Sequence, residues 1–231
     1  MSIDEHPGLG NRLNVLRAGV LGANDGIVST AGLVLGVAAT TTQRAPILTA
    51  GLAGLVAGAL SMAAGEYVSV STQRDTEHAA LDLERRELAA DPEGELQELA
   101  DIYVSKGLTP DLAMEVAKQL HDGDQTLQAH AEAELGITLD NVASPWSAAL
   151  TSAVAFTIGS ALPLIAILLT TPTWRSPVTF LAMLVALAVT GSVSARLGGA
   201  NRRRAVVRVI VGGALAMAVT YGIGRLVGGR L

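Results

Sequence analysis

Hydrophobic and polar positions along this chain fall into long blocks rather than alternating residue by residue. Five mostly apolar stretches, at about 16–38, 47–71, 146–170, 177–197 and 205–227, each reach the roughly 20 residues a membrane-crossing helix needs. The first two are the least apolar, because they hold the carboxylates Asp25 and Glu66. Connections inside the pairs are short, Thr40 to Ala45 and Thr171 to Ser176. Trp146 and Trp174 bracket the third stretch, as indole rings do at water interfaces, and Pro163 within it predicts a kink.

Between the second and third stretches the pattern becomes polar and helical in period. Ala80, Leu81, Leu83 and Leu88 predict that the second helix continues to about Ala90. Asp91-Pro92 then stops one helix and starts another, with Asp91 as N-cap and Pro92 at the first helical position. That helix is expected to reach Lys106, with Gly107 closing it. Thr109-Pro110 repeats the start signal for a helix to His121, Asp122-Gly123-Asp124 breaks it, and a last segment runs from Gln125 to Leu135 before Gly136. Asp140 to Pro145 leads back to the apolar body. The predicted fold is therefore an all-α integral membrane protein with five transmembrane helices and a helical insert between spans two and three. Its parts are an N-terminus at 1–15, spans one and two at 16–72, the insert at 73–145 and spans three to five at 146–231.

Charge sharpens this division. Of 21 acidic residues, 17 lie between Asp75 and Asp140, against five basic residues from Arg74 onward, so that region carries −12 and the remainder +7. Nucleic acid is excluded as a partner of so acidic a segment, since phosphates would be repelled. Arg12, Arg17, Arg74, Arg85, Arg86 and the Arg202 to Arg204 cluster fall on one side of the predicted spans. Arg44, Arg175 and Arg230 fall on the other, with Arg225 near that interface. The bias puts the N-terminus and the acidic insert in the cytoplasm and the C-terminus outside. The first fourteen residues are polar, include Asp4 and Glu5 and have no basic leader, so no cleavable signal peptide is expected. The scarcity of lysine, with only Lys106 and Lys118, and the abundance of Ala and Gly point to a bacterial genome and hence to the cell membrane.

The candidate chemistry is cationic. The chain has no cysteine, which removes disulfides and thiolate metal sites. Glu84 and Glu87, then Glu95 and Glu98, form two i, i+3 pairs, each on one helix face. The Asp91-Pro92 break separates them, so only a hairpin of two helices would turn the pairs toward each other. Clustered oxygens of this kind suit hard or borderline divalent cations. A solvated acidic face, with Arg85 and Arg86 as partners, fits the same spacing. His130 and Glu134 share a face at i, i+4, with Glu132 nearby, and allow the same two readings. His78 and His121 have no comparable grouping and read as surface residues.

Asp25 differs, because an unpaired carboxylate in lipid costs several kcal/mol or else holds a proton. Asn24 and Gly26 flank it, Ser29 follows one turn on, and Met62 and Glu66 share a face of the second span. Such a carboxylate exchanges a proton for a metal ion, a physical basis for proton-coupled transport. A buried acid paired with a neighbouring helix is the alternative. The spacings Gly22/Gly26, Gly32/Gly36 and Gly54/Gly58 allow close helix approach, within one chain or across a dimer.

Asn24-Asp25-Gly26-Ile27-Val28-Ser29 and Ser61-Met62-Ala63-Ala64-Gly65-Glu66-Tyr67-Val68-Ser69 resemble the motifs of the vacuolar iron transporter family. So do Gln73-Arg74-Asp75 and the spacing of Glu84, Glu87, Glu95 and Glu98. The resemblance runs from about Leu16 to Gly228. It implies a homodimer of five-span chains with a cytoplasmic helical metal-binding domain. It also implies export of Fe²⁺, and often Mn²⁺, from the cytosol in exchange for protons, with no organic cofactor. By the same resemblance Asp25 and Met62 occupy intramembrane metal positions, Glu66 falls in the shared motif, and Glu84, Glu87, Glu95, Glu98 and Glu134 are insert ligands. This chain departs from the family pattern with His130-Ala131 where several relatives carry Met-Met, and with Ala18 and Gly54 where relatives can carry acids. A membrane-anchored metal-binding or sensing protein without flux is the competing class, and it leaves Asp25 unexplained. A ferritin-like di-iron oxidase is excluded, since no histidine lies three residues after a glutamate.

Overall fold

The structure is a computed structural model that describes residues 9–121, 125–138 and 144–228. Every regular element among the described residues is helical. In chain order they are α1 (Leu9–Ala38), α2 (Arg44–Ala90), α3 (Pro92–Ser105), α4 (Pro110–His121), α5 (Thr126–His130), α6 (Pro145–Leu169), α7 (Arg175–Leu197) and α8 (Arg202–Gly228). A single wide π turn, Ala131–Leu135, prolongs α5. Five helices, α1, α2, α6, α7 and α8, are long and apolar enough to cross a membrane. The two breaks expected at Asp122–Asp124 and Asp140–Ser144 fall on or beside residues outside the described set.

The chain divides into two compact units. One takes Arg12–Ser69 and Ser144–Leu231, and the other is drawn from Val70–Ala143. The first unit is held by aliphatic side chains from all five long helices: Ile27 and Val34 of α1, Ile47 of α2, Ile167 of α6, Leu187 of α7 and Met217 of α8 are buried together. Between α1 and α6 the backbones nearly touch. A Cβ on Gly26 would meet the carbonyl of Phe156, and one on Gly159 would meet the carbonyl of Ala23. Ser160 Oγ takes advantage of that approach and donates to the Gly26 carbonyl at 3.2 Å. The Gly22/Gly26 spacing therefore serves packing inside one chain.

Two side chains read from sequence as interface markers take different roles. Trp146 is exposed and sets its ring 4.8 Å from that of Tyr67, while Trp174 is also exposed. Arg175, counted above as a charge of the outer flank, is instead buried. It donates to the Thr42 carbonyl at 3.0 Å, where it fastens the α1–α2 connection to the start of α7. A short polar connection leaves carbonyls unsatisfied, and a guanidinium with five donors is well suited to take them.

The second unit follows the start signals closely. Asp91 caps α3 by accepting from the Gly94 amide at 3.0 Å, with Pro92 in the first turn. Gly107 has φ +103° just after that helix, the left-handed conformation for which glycine is favoured. Leu99 and Ala100 of α3 pack on Ala117 of α4, and Leu96, Tyr103, Met114 and Ala133 close over them. This small core brings α3, α4 and the π turn together.

Candidate metal centre

The charged remainder of α2, beyond the apolar run that ends near Ser71, carries Glu84 on its buried face. The Asp91-Pro92 break reverses the chain within a few residues, so Glu95 in the first turns of α3 approaches Glu84 from a second helix. The π turn supplies the third side. It starts at His130, is closed by Gly136 at φ +66° and by the Ile137 amide bonding to the Ala131 carbonyl at 3.0 Å, and presents Glu134. Single π turns recur at functional sites because they re-aim neighbouring side chains.

The result is a tight group. One ligand atom each from Glu84, Glu95, His130 and Glu134 lies within 4.8 Å of all the others. His130 Nδ1 is 3.1 Å from Glu84 Oε1 and 3.7 Å from Glu95 Oε2. Bonds of about 2.0–2.3 Å from carboxylate and imidazole to a divalent ion place ligand atoms roughly 3–4.5 Å apart, so the group fits around one cation. A further observation points to an ion. Glu84 is 2% exposed, and its Oε1 finds no aligned hydrogen-bond donor among the described residues despite the proximity of His130. A buried carboxylate oxygen without a donor is costly unless something positive completes it.

Electrostatics agree with that geometry. Burial, then the neighbouring charges of Glu134 and Glu95, push the Glu84 carboxyl up to about 7. Burial is also the first cause of the upward shifts of Glu95 and Glu134. His130 is moved down by burial and by His121, which favours the neutral imidazole whose lone pair a cation needs. Concentrated negative potential beside an imidazole is an arrangement that can hold a divalent cation.

Glu87 and Glu98 stand outside this tight group and are exposed, so each i, i+3 pair is split into one inner and one rim carboxylate. The rim pair still acts on the centre through its charge: both raise Glu95 and Glu134, and Glu87 also raises Glu84. The expectation for His121 is corrected. Far from a lone surface residue, it places Nδ1 3.2 Å from His130 Nε2. The two histidines come from different helices on either side of a break, so no helical spacing could have linked them.

In the five-helix unit Asp25 is exposed on α1, beside a cavity of about 170 Å³. Ser29, Thr30, Gly54, Gly58, Ser61 and Phe156 line that cavity with it, so Asp25 is its one carboxylate among the described residues. Thr30 is buried and its hydroxyl has no hydrogen-bond partner among the described residues, while Ser29 Oγ donates to the Asp25 carbonyl at 2.6 Å. Met62 is half-buried on α2 and does not line the cavity, although its neighbour Ser61 does. Glu66 is buried and takes Arg17 Nη2 on its Oε2 at 3.3 Å. The alternative of an acid paired with a neighbouring helix thus describes Glu66, not Asp25. Gly54 lines the Asp25 cavity and Ala18 is fully buried.

Fold and site define a helical membrane protein with five apolar helices and an acidic helical unit that carries a carboxylate–imidazole cluster. The chain belongs to the VIT family, whose model matches residues 16–225. It is 48% identical over 212 residues to the vacuolar iron transporter of Acanthamoeba castellanii, covering 91% of this chain and 78% of that protein. It is 40% identical to vacuolar iron transporter homolog 1 of Oryza sativa subsp. japonica, over 94% of this chain and 75% of the relative. With vacuolar iron transporter homolog 2.1 of Arabidopsis thaliana it shares 34% identity, over 94% and 83% of the two chains.

Proposed function

We propose that this protein is a divalent metal transporter, not an enzyme, that exports Fe²⁺ from the cytosol across the cell membrane, with Mn²⁺ as a second cargo, in exchange for protons. The observation that carries the reading is the coexistence of two unlike carboxylate sites. One is the buried Glu84, Glu95, His130 and Glu134 cluster, and the other is Asp25 beside a hydroxyl-lined cavity in an apolar helix. A protein that only bound or sensed metal would need the first and not the second. Membership of a family whose relatives are named vacuolar iron transporters supports the cargo.

In this reading the cluster on the cytoplasmic unit, residues 73–145, captures the ion, with Glu87 and Glu98 at its rim raising the local cation concentration. The ion then passes to Asp25, where Ser29, Thr30 and Ser61 supply neutral oxygens. Met62 serves as a soft contact on the way through. A proton arriving from the far side neutralises Asp25, removes its attraction for the cation and releases it. Since Asp25 is the one carboxylate lining that cavity among the described residues, the proposed coupling rests on it. Glu66, held by Arg17, acts as a fixed charge beside the path. The Arg202, Arg203 and Arg204 side chains are exposed at the start of α8, in keeping with a cytoplasmic position. A homodimer completes the reading, because a second copy would cover an exposed Asp25 that lipid cannot solvate.

The test is metal entry into proteoliposomes loaded with a metal-sensitive dye, with and without an imposed pH gradient, Fe²⁺ and Mn²⁺ side by side. Flux that follows the gradient supports the exchanger, and flux indifferent to pH removes the proton from the scheme. Folded protein that binds metal but passes none would leave a membrane-anchored sensor.

A further inference from the structure

The cluster has an imidazole nitrogen, His130 Nε2, that faces away from the carboxylates, and its position suggests a task. His130 is 1% exposed, and its two ring nitrogens face different partners. Nδ1 looks to Glu84 and Glu95, at 3.1 and 3.7 Å, and Nε2 looks to His121 Nδ1 at 3.2 Å. The two rings meet edge to face, with centroids 5.3 Å apart and planes at 62°. A neutral imidazole has one proton for two nitrogens, so whichever nitrogen binds a cation obliges the other to donate.

Resting on the reading of the cluster as a metal centre, we infer that His121 is its positioning residue. It accepts a hydrogen bond from His130 Nε2–H and so fixes the tautomer in which His130 offers Nδ1 to the cation. His121 must then present its own Nδ1 as the acceptor and carry its proton on Nε2, which its half-buried position permits. Its backbone is tied down, since Thr126 Oγ1 donates to the His121 carbonyl at 2.6 Å and binds the end of α4 to the start of α5. His121 is not a further ligand, as it stands behind His130 rather than among the oxygens. Outer partners that orient a ligating histidine in this way typically account for about 10–100-fold in metal affinity.

The role also answers a question raised by the cluster's composition. Carboxylates alone serve hard cations such as Mg²⁺ and Ca²⁺, and an imidazole in the correct tautomer shifts preference toward borderline transition ions. His121 is thus a selectivity residue as well as an orienting one.

The experiment is an equilibrium Mn²⁺ titration of the full chain in detergent, comparing wild type with Glu84→Gln, His121→Phe and His121→Asn. Glu84→Gln identifies the sites belonging to the cluster. His121→Phe keeps an aromatic ring but offers no acceptor, and its cluster affinity should fall about 10–100-fold. His121→Asn places an amide oxygen where Nδ1 stood and should recover most of that loss. A packing role would not distinguish these two variants in that order. His121→Phe binding like wild type, or His121→Asn no better than His121→Phe, would overturn the inference while leaving the metal centre intact. Wild type and Glu84→Gln binding Mn²⁺ alike would overturn the metal centre, and this role with it.

Discussion

Glu84 and Asp25 are both carboxylates placed where carboxylates are expensive, and their surroundings differ in nearly every respect. Glu84 is 2% exposed and is crowded by Glu95, Glu134 and His130, which can all turn toward one ion. Asp25 is exposed on its helix, has no other carboxylate lining its cavity among the described residues, and shares that cavity with hydroxyls and a phenyl ring. Many strong ligands in one place hold an ion well and release it slowly. One charge with neutral oxygens holds an ion weakly and loses it when a single proton arrives. In the proposed scheme the difference between capture and passage therefore lies in ligand number rather than in ligand type.

Removing the lone charge should separate the two sites most sharply. Asp25→Asn is expected to abolish metal flux in proteoliposomes while the acidic unit still binds Mn²⁺ with wild-type affinity. Flux retained in that variant would end the assignment of Asp25. A smaller effect is expected when the scaffold of the passage is disturbed. Gly26→Val would drive a branched side chain into the Phe156 carbonyl, at the residue next to Asp25. Overpacking of that kind costs about 1–3 kcal/mol, seen as a lower midpoint of thermal unfolding in detergent. An unchanged midpoint would show that α1 and α6 do not meet as described.

Acid should weaken the cluster. Glu84 titrates at about 7, raised by burial and by Glu134 and Glu95, so below pH 7 a proton must leave before the ion can bind. For one displaced proton the affinity falls about tenfold per pH unit beneath that value, and it levels off above it. Mn²⁺ titrations at pH 6, 7 and 8 check the sign and the slope, and an affinity that rises in acid would contradict both. The least effect is expected at the Arg17–Glu66 pair. Arg17 is half exposed at 52% while Glu66 is buried, so Arg17→Lys, which keeps a cation for that carboxylate, should change stability by no more than about 1 kcal/mol. A loss of flux without a loss of stability would promote Glu66 from fixed charge to participant.

Much of this was legible in the chain because the signals are local. An apolar run of 20 or more residues declares a span, and Asp91-Pro92 and Thr109-Pro110 carry helix starts within two residues. The glutamate spacing pointed to facing pairs, and α2 and α3 do bring Glu84 and Glu95 together. What the spacing could not say is which member of each pair turns inward. That depends on the angle between α2 and α3 and on the small core of Leu99, Ala100 and Ala117, a matter of tertiary packing. His121 was missed for the same reason, since its partner lies across a break where helical periodicity carries no information. Arg17 and Glu66 are 49 residues apart, and nothing in either neighbourhood announces the pair. The glycine spacings announced close packing but not the partner, which for Gly26 is the Phe156 backbone.

The division of labour between the two sites is tested most directly by the concentration dependence of metal flux in the Glu84→Gln variant. If the cluster captures and Asp25 passes, the variant should reach the wild-type maximal rate but need about 10–100-fold more metal to do so. A maximal rate that collapses while the half-saturating concentration stays fixed would contradict the account, because it would place Glu84 on the passage itself.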